Sequence, residues 1–239
     1  MITKNEEANV ERCLASVRAF ASEIVVVDSG STDRTVALAA HLADRVIAQP
    51  WLGFGPQKQF AVEQARGPWV LSLDADEAVS RELAAEIAEL SFDRDGYELP
   101  RRVWYLGRWI LHGTWYPDPV LRLFNRERGR FTPDRVHETV ELSGTIGRLR
   151  GPLDHYPYRD LAHHHEKINA LSALSADQMY ERGRRATWAS LALKPAWEFL
   201  RSYVIRQGFL DGPPGLIAAG MHAHYNFLKQ AKLWVRAQG

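Results

Sequence analysis

The chain has 239 residues, 46% of them hydrophobic and 25% charged, with a formal net charge of +1. That is globular composition, with length for one large domain or a domain with an appendage, and it excludes a disordered or collagen-like chain. No apolar run approaches the roughly 18 residues of a membrane span, and the single Cys13 excludes an internal disulfide. No secretory leader is expected at the N-terminus. The near-zero net charge hides an asymmetry. Residues 1–100 carry 9 Lys/Arg against 17 Asp/Glu, and residues 181–239 carry 9 against 3. An acidic front and a basic tail point to two jobs, the tail meeting something anionic.

Met1-Ile2-Thr3 reads as the end of a strand. Val10, Cys13, Leu14, Val17 and Phe20 recur at helical spacing and predict an amphipathic helix over 7–20, with Cys13 as a packed core thiol. Residues 23–27 read as a buried strand running into Asp28-Ser29-Gly30-Ser31-Thr32-Asp33. Gly30 permits a tight turn there, and Ser31 or Thr32 can cap a helix reaching about residue 43. Residues 45–48 predict a short strand, and Pro56 opens a helix over 57–64. The strand–helix alternation argues a parallel sheet with right-handed crossovers.

The stretch Trp69-Val70-Leu71-Ser72-Leu73-Asp74-Ala75-Asp76-Glu77 organises this half. It reads as a strand buried on both faces that ends in three acids, before a helix over 80–90. Open α/β sheets bind ligands at strand carboxyl ends. Three adjacent carboxylates repel unless a cation joins them. Hard oxygen ligands suit Mg²⁺ or Mn²⁺, which keep waters and take up substrate phosphates. A metal–phosphate site is therefore expected, one acidic loop reading a nucleoside and the other its diphosphate.

Thr3-Lys4-Asn5-Glu6-Glu7, Asp28-Ser29-Gly30-Ser31-Thr32-Asp33 and Leu73-Asp74-Ala75-Asp76-Glu77, in this order and spacing, resemble the opening signatures of family 2 glycosyltransferases. Gln57-Lys58 and the later Gly208-Phe209-Leu210-Asp211-Gly212 resemble a bacterial subgroup that includes lipopolysaccharide inner-core β-1,4-glucosyltransferases. The resemblance implies a GT-A nucleotide-diphospho-sugar fold, α/β with a mostly parallel sheet, over 1–158, and a helical appendage over 159–239. It implies an inverting transfer, a divalent metal (Mg²⁺ or Mn²⁺), a nucleotide-sugar donor, expected to be UDP-glucose, and a glycolipid acceptor such as the lipopolysaccharide core. Carried over residue by residue, Asp28 bonds the uracil, and Asp76 ligates the metal, with Asp74 as a further ligand nearer the ribose. Thr3, Asn5, Glu6, Ser29 and Ala75 line the nucleotide, and Lys58 contacts phosphate or base. The family pattern has several more strand residues before the position of Met1, so a misassigned start or a shortened first strand is expected.

In the middle, 97–105 reads as a strand leaving the site. Trp104, Tyr105, Trp109, Trp115 and Tyr116 offer either a sugar-stacking platform or core filling. Asp118 sits between Pro117 and Pro119, before a strand over 120–124. Arg135-Val136-His137-Glu138 precedes a strand over 139–142. An inverting transfer needs one general base for the acceptor hydroxyl. Asp118 looks like the position where related enzymes place it, without their usual Glu-Asp pair; Glu138 is its rival, and His137 is a further metal ligand or acceptor contact. Arg122 pairs with one of those two acids, faces the diphosphate, or makes a structural salt bridge. His163-His164-His165 cannot all face one ion on a helix, since successive side chains point about 100° apart.

From residue 160 a helix is expected to about 182. A Trp- and Leu-rich stretch over 188–205 follows Arg182, Arg184 and Arg185, then a turn at Asp211-Gly212-Pro213-Pro214-Gly215 and a helix over 216–234. Lys194, Pro195, Glu198 and Arg201 break the stretch as a span. Basic residues beside Trp and Leu read as an interfacial helix on anionic lipid or as a helical cap. The expected setting is the cytoplasmic face of an inner membrane, peripherally bound, and the basic residues are too sparse for a nucleic-acid groove. Within the resemblance, a glycosyltransferase for another cell-envelope polysaccharide is the alternative, and two other readings compete. A haloacid dehalogenase-type phosphohydrolase would use Asp74 as nucleophile and Asp76 as acid, leaving the Asp28 loop without a job. A non-catalytic nucleotide-sugar or membrane-binding protein is the third.

Overall fold

The computed structural model describes residues 1–133 and 138–238. In chain order the elements are β1 (Ile2–Thr3), α1 (Val10–Val17), β2 (Val25–Asp28), α2 (Thr35–Ala40), β3 (Arg45–Ala48), α3 (Phe54–Gln64), β4 (Trp69–Leu71), β5 (Glu77–Val79) and α4 (Arg81–Ala88). Then come β6 (Gly96–Tyr105), β7 (Arg108–Ile110), β8 (Asp118–Asn125), β9 (Gly129–Phe131), β10 (Val140–Leu142), β11 (Ile146–Arg148) and β12 (Leu153–His155). Helices α5 (Leu161–Glu181), α6 (Trp188–Leu200) and α7 (Gly212–Arg236) complete the chain. The chain forms two compact units, one of Met1–Arg101 with Pro119–Tyr156, the other of Arg102–Asp118 with Pro157–Gly239. The second unit thus gathers the helical tail and an insertion from the middle of the chain.

In the first unit, β1, β2 and β3 form the expected parallel sheet, with Thr3 opposite Asp28 and Val27 opposite Ile47. The stripe Val10, Cys13, Leu14, Val17 on α1 is wholly buried against Ile24, Val26, Leu83, Ile87 and Leu153. Each such side chain contributes about 1.5–3 kcal/mol of burial, so helical periodicity alone located this core face. Burial pushes the Cys13 thiol far up, as suits a core residue rather than a nucleophile. Ser80 caps α4 by accepting from the Leu83 amide at 3.1 Å.

The larger sheet, β4-β8-β6-β12-β5 with β7 and β11 on β6, is mixed and not parallel throughout. Here the expected strand ending in three acids is corrected. β4 stops at Leu71, is half-buried, and pairs antiparallel with β8, Trp69 opposite Asn125. Beyond it, Asp74 makes a single parallel bridge to Ile2. Glu77 is no loop acid: it opens β5 and is fully buried.

In the second unit, Val103, Tyr105, Ile110 and Ala218 form a core with Trp115, Tyr158 and Ile217 against it. The expected turn at 211–215 is instead the start of α7, since proline tolerates a first helical turn, where its missing N–H has no intrahelical partner. A Cβ on Gly215 would sit 2.1 Å from the Gly208 carbonyl oxygen, so this turn packs with no room for a side chain. Asp211 is 1% exposed and accepts from the Leu111 amide at 3.0 Å and the His112 amide at 2.8 Å, with His112 Nδ1 at 3.0 Å from its other oxygen. The Gly208–Gly212 signature is thus a staple on the segment after β7.

Candidate active site

The two acidic-loop motifs of the first unit are stitched together by their own polar groups. Asp28, 4% exposed, accepts the Gly30 and Ser31 amides at 2.9 Å each, and the Ser31 hydroxyl as well. Gly30 has φ +86°, a backbone that favours glycine. The Asn5 amide donates to the Ser31 hydroxyl at 2.9 Å, and Asn5 Oδ1 accepts the Thr32 amide at 2.8 Å. The Glu6 amide donates to Thr35 Oγ1 at 2.7 Å, while the Glu6 carboxylate accepts from Asn9. The Ser29 amide donates to the Thr3 carbonyl, and the Ser29 hydroxyl accepts from Gln57, itself fully buried. Of the residues expected to line a nucleotide, Asn5, Glu6, Asp28 and Ser29 therefore hold two loops in register. Thr3 Oγ1 is buried without a hydrogen-bond partner among the described residues.

Beside these loops the three acids part company. Asp74 Oδ1 meets Lys58 Nζ at 2.7 Å, and Asp74 Oδ2 meets the Arg122 guanidinium. Burial alone would raise the Asp74 pKa, but Arg122 and Lys58 outweigh it and hold the carboxyl well below the usual range. Glu77 accepts from Arg122 at 2.8 Å and Arg101 at 3.0 Å, and its second oxygen accepts the Asp74 amide at 2.9 Å. The cations that relieve the repulsion between Asp74 and Glu77 are therefore side chains. Both oxygens of Asp74, one of the two expected metal ligands, are engaged by these side chains. Arg122 takes the structural salt bridge among its expected roles, with Asp74 and Glu77 as its partners. Lys58, 5% exposed, also meets Glu138 Oε1 at 2.7 Å, so its ammonium is committed to two carboxylates.

Asp76 differs. Its Oδ1 lies 3.5 Å from His155 Nε2, at the end of β12, while its carbonyl accepts the Tyr156 amide at 2.8 Å. The register His155 opposite Glu77 places the imidazole there. That spacing is long for a hydrogen bond, so the two groups are neighbours without a tight contact between them. His155 Nδ1 is buried with no hydrogen-bond partner among the described residues. No group of three His, Cys, Asp or Glu that could hold an ion occurs among the described residues. The Asp76 carboxylate fits a Mg²⁺- or Mn²⁺-type ion whose other ligands are phosphate oxygens and water, and the imidazole is the softer donor, better matched to Mn²⁺ than to Mg²⁺. Sequence reasoning missed His155. The one signal was a polar residue closing the short run Leu153-Asp154-His155, and nothing in its spacing ties it to Asp76.

Ala75 is buried. Asp118 opens β8 after a cis Tyr116–Pro117 bond. His137 lies outside the described residues. Of the aromatic cluster, Tyr105 and Trp115 are core, their rings 5.2 Å apart and edge-on. Trp104 and Trp109 face each other across the β6–β7 hairpin at 5.1 Å, Trp104 exposed. His164, of the three consecutive histidines, is buried and shares a 2.8 Å hydrogen bond with the Tyr105 hydroxyl.

Residues 1–140 match the model of glycosyl transferase family 2. The chain is 37% identical over 246 residues to the lipopolysaccharide core biosynthesis glycosyltransferase LpsC of Rhizobium meliloti, covering 99% of this chain and 91% of that one. It is 34% identical to a glycosyltransferase of Rickettsia typhi, covering 98% and 85%. Among solved structures it superimposes on the mannosyltransferase PcManGT of Pyrobaculum calidifontis, bound to GDP-Man and Mn²⁺, with a TM-score of 0.56 at 15% identity over 97% of this chain and 85% of that one. The UDP complex of TarS residues 1–349 from S. aureus gives 0.51 at 15% identity over 100% and 90%. These neighbours share the GT-A fold with this chain. The chain belongs to glycosyl transferase family 2, and it is a glycosyltransferase.

Proposed function

We propose that the chain moves glucose from UDP-glucose, with inversion, onto a sugar of a membrane-anchored glycolipid such as a lipopolysaccharide inner core. It would work peripherally at the cytoplasmic face of the inner membrane. The observation that carries the reading is the Asp76–His155 pair beside an Asp74 whose charge is already satisfied. LpsC, similar over almost its whole length, is named for lipopolysaccharide core biosynthesis, which supports the acceptor class.

Asp76 and His155 would hold the Mg²⁺ or Mn²⁺, which when bound neutralises the departing diphosphate. Lys58 and Arg122 fix Asp74 against the loop, so that the loop presents Asp76 in one orientation. The stitched 3–7 and 28–35 loops form the nucleoside side of the pocket, and Asp28 keeps acceptor capacity on Oδ1 for the base N–H. Asp118 takes the proton as the acceptor oxygen bonds to C1 of the sugar and the bond from C1 to the diphosphate oxygen breaks. Glu138, whose carboxylate meets Lys58 at 2.7 Å, is the rival for that proton. Family membership sets aside the phosphohydrolase reading.

The test is calorimetric titration of UDP and UDP-glucose into the chain with and without Mn²⁺. Metal-dependent binding should weaken about a hundredfold in Asp76→Asn and tenfold or more in His155→Ala. A folded sample that binds neither ligand in any condition would sink the reading. In product assays, Asp118→Asn should lose at least a hundredfold in kcat with little change in KM, and Glu138→Gln far less.

A further inference from the structure

Helix α6 has no buried residue. Leu193, Trp197, Leu200 and Val204 follow one another at spacings of four, three and four residues, which puts them on one stripe. All four are exposed, Leu193 by 66% and Trp197 by 51%, and Trp188 at the helix start by 78%. The stripe runs on through a π turn at Arg201–Ile205 to exposed Phe209 and Leu210. An apolar surface this continuous marks a partner. The charges around it select one. Residues 182–210 hold six Arg or Lys and one acid, Glu198. That acid is engaged by Arg201 and His222, each at 3.3 Å. A second copy would bring like charge against like charge. A nucleic acid has no match for Leu, Val and Ile side chains. A bilayer surface with anionic headgroups matches both features, since tryptophan rings favour the headgroup level and basic side chains the lipid phosphates. No helix among the described residues is long and apolar enough to cross a membrane.

We propose that the Leu193–Trp197–Leu200–Val204 stripe seats in the headgroup–acyl boundary of an anionic leaflet, with Lys194 and Arg206 among the cations at its phosphates. This deepens the glycolipid-acceptor reading and rests on it for biological purpose, while the docking itself stands on the exposed stripe and its charge. The test is co-sedimentation of the full chain with vesicles of phosphatidylcholine alone or with about 30% phosphatidylglycerol, at low and high salt. Binding is expected to the anionic vesicles, weakening with salt and accompanied by a blue shift of tryptophan emission. Lys194→Gln with Arg206→Gln should weaken it roughly tenfold. Leu193→Glu with Trp197→Glu should abolish it while circular dichroism and Tm stay at wild-type values, because these side chains are exposed in the fold. Wild-type chain that ignores anionic vesicles, or a double-Glu variant that binds them as well as wild type, overturns the proposal. So does concentration-dependent self-association that the double-Glu variant abolishes in the absence of vesicle binding, which would make a second copy the occupant. Calorimetric titration of UDP into the wild-type chain reads the donor site separately, so failure of either reading leaves the other measurable.

Discussion

The acid cluster of the first unit and helix α6 of the second break the inside-out rule in opposite ways. Around Asp74 and Glu77, charged groups are taken from water and paired: Arg122 is 7% exposed, Lys58 5% and Glu77 not at all. Along α6, Trp188, Leu193 and Trp197 stand in water with cations around them. Apolar atoms outside are cheap for stability one by one, whereas charges inside are costly unless every oxygen finds a partner. The cluster should therefore govern the stability of its unit, and α6 should hardly touch it. Both are places where the chain departs from what folding alone favours, and both carry the proposed functions.

Removing one partner from the buried cluster gives the largest effect on stability. Arg122→Ala leaves Asp74 with Lys58 and Glu77 with Arg101, and should destabilise the fold by about 3–5 kcal/mol, read by denaturant unfolding. A change under about 1 kcal/mol would mean that the remaining cations suffice. Next comes His164 in the second unit. Burial, with His163 and His165 adding to it, lowers its pKa from 6.5 to about 4. The folded state therefore binds fewer protons than the unfolded one. The stability this neutral imidazole contributes is complete above pH 6.5 and is lost as pH falls towards 4, about 3 kcal/mol in all. Measuring Tm against pH for wild type and His164→Phe checks the sign, since the variant should lack this part of the slope. Smallest is Trp188→Ala, which should alter unfolding free energy by less than about 0.5 kcal/mol. A larger loss would show that α6 packs more tightly than its exposure indicates, and would erase the contrast between the two regions.

Local pattern accounts for what could be read before folding. Helical periodicity in Val10, Cys13, Leu14 and Val17 marked a buried face, because the period of a helix is a property of the chain itself. Motif order and spacing located the family, since the Asp28 and Asp74–Asp76 loops are short and self-contained. The Trp69 run misled, because an apolar stretch says buried without saying against what. The pairing of β4 with β8 depends on a segment some fifty residues later.

Chain order by itself determined the family, the strand–helix alternation, the helix faces, and an acidic site wanting cations. Only the tertiary structure decided which cations. Arg122 and Arg101 reach Glu77 from 45 and 24 residues away, and Arg122 reaches Asp74 from 48. His155 comes beside Asp76 only through the pairing of β12 with β5. The reason is physical. Periodicity and turn chemistry act between near neighbours along the chain, whereas charge neutralisation acts between neighbours in space, and those exist only once the sheet has formed.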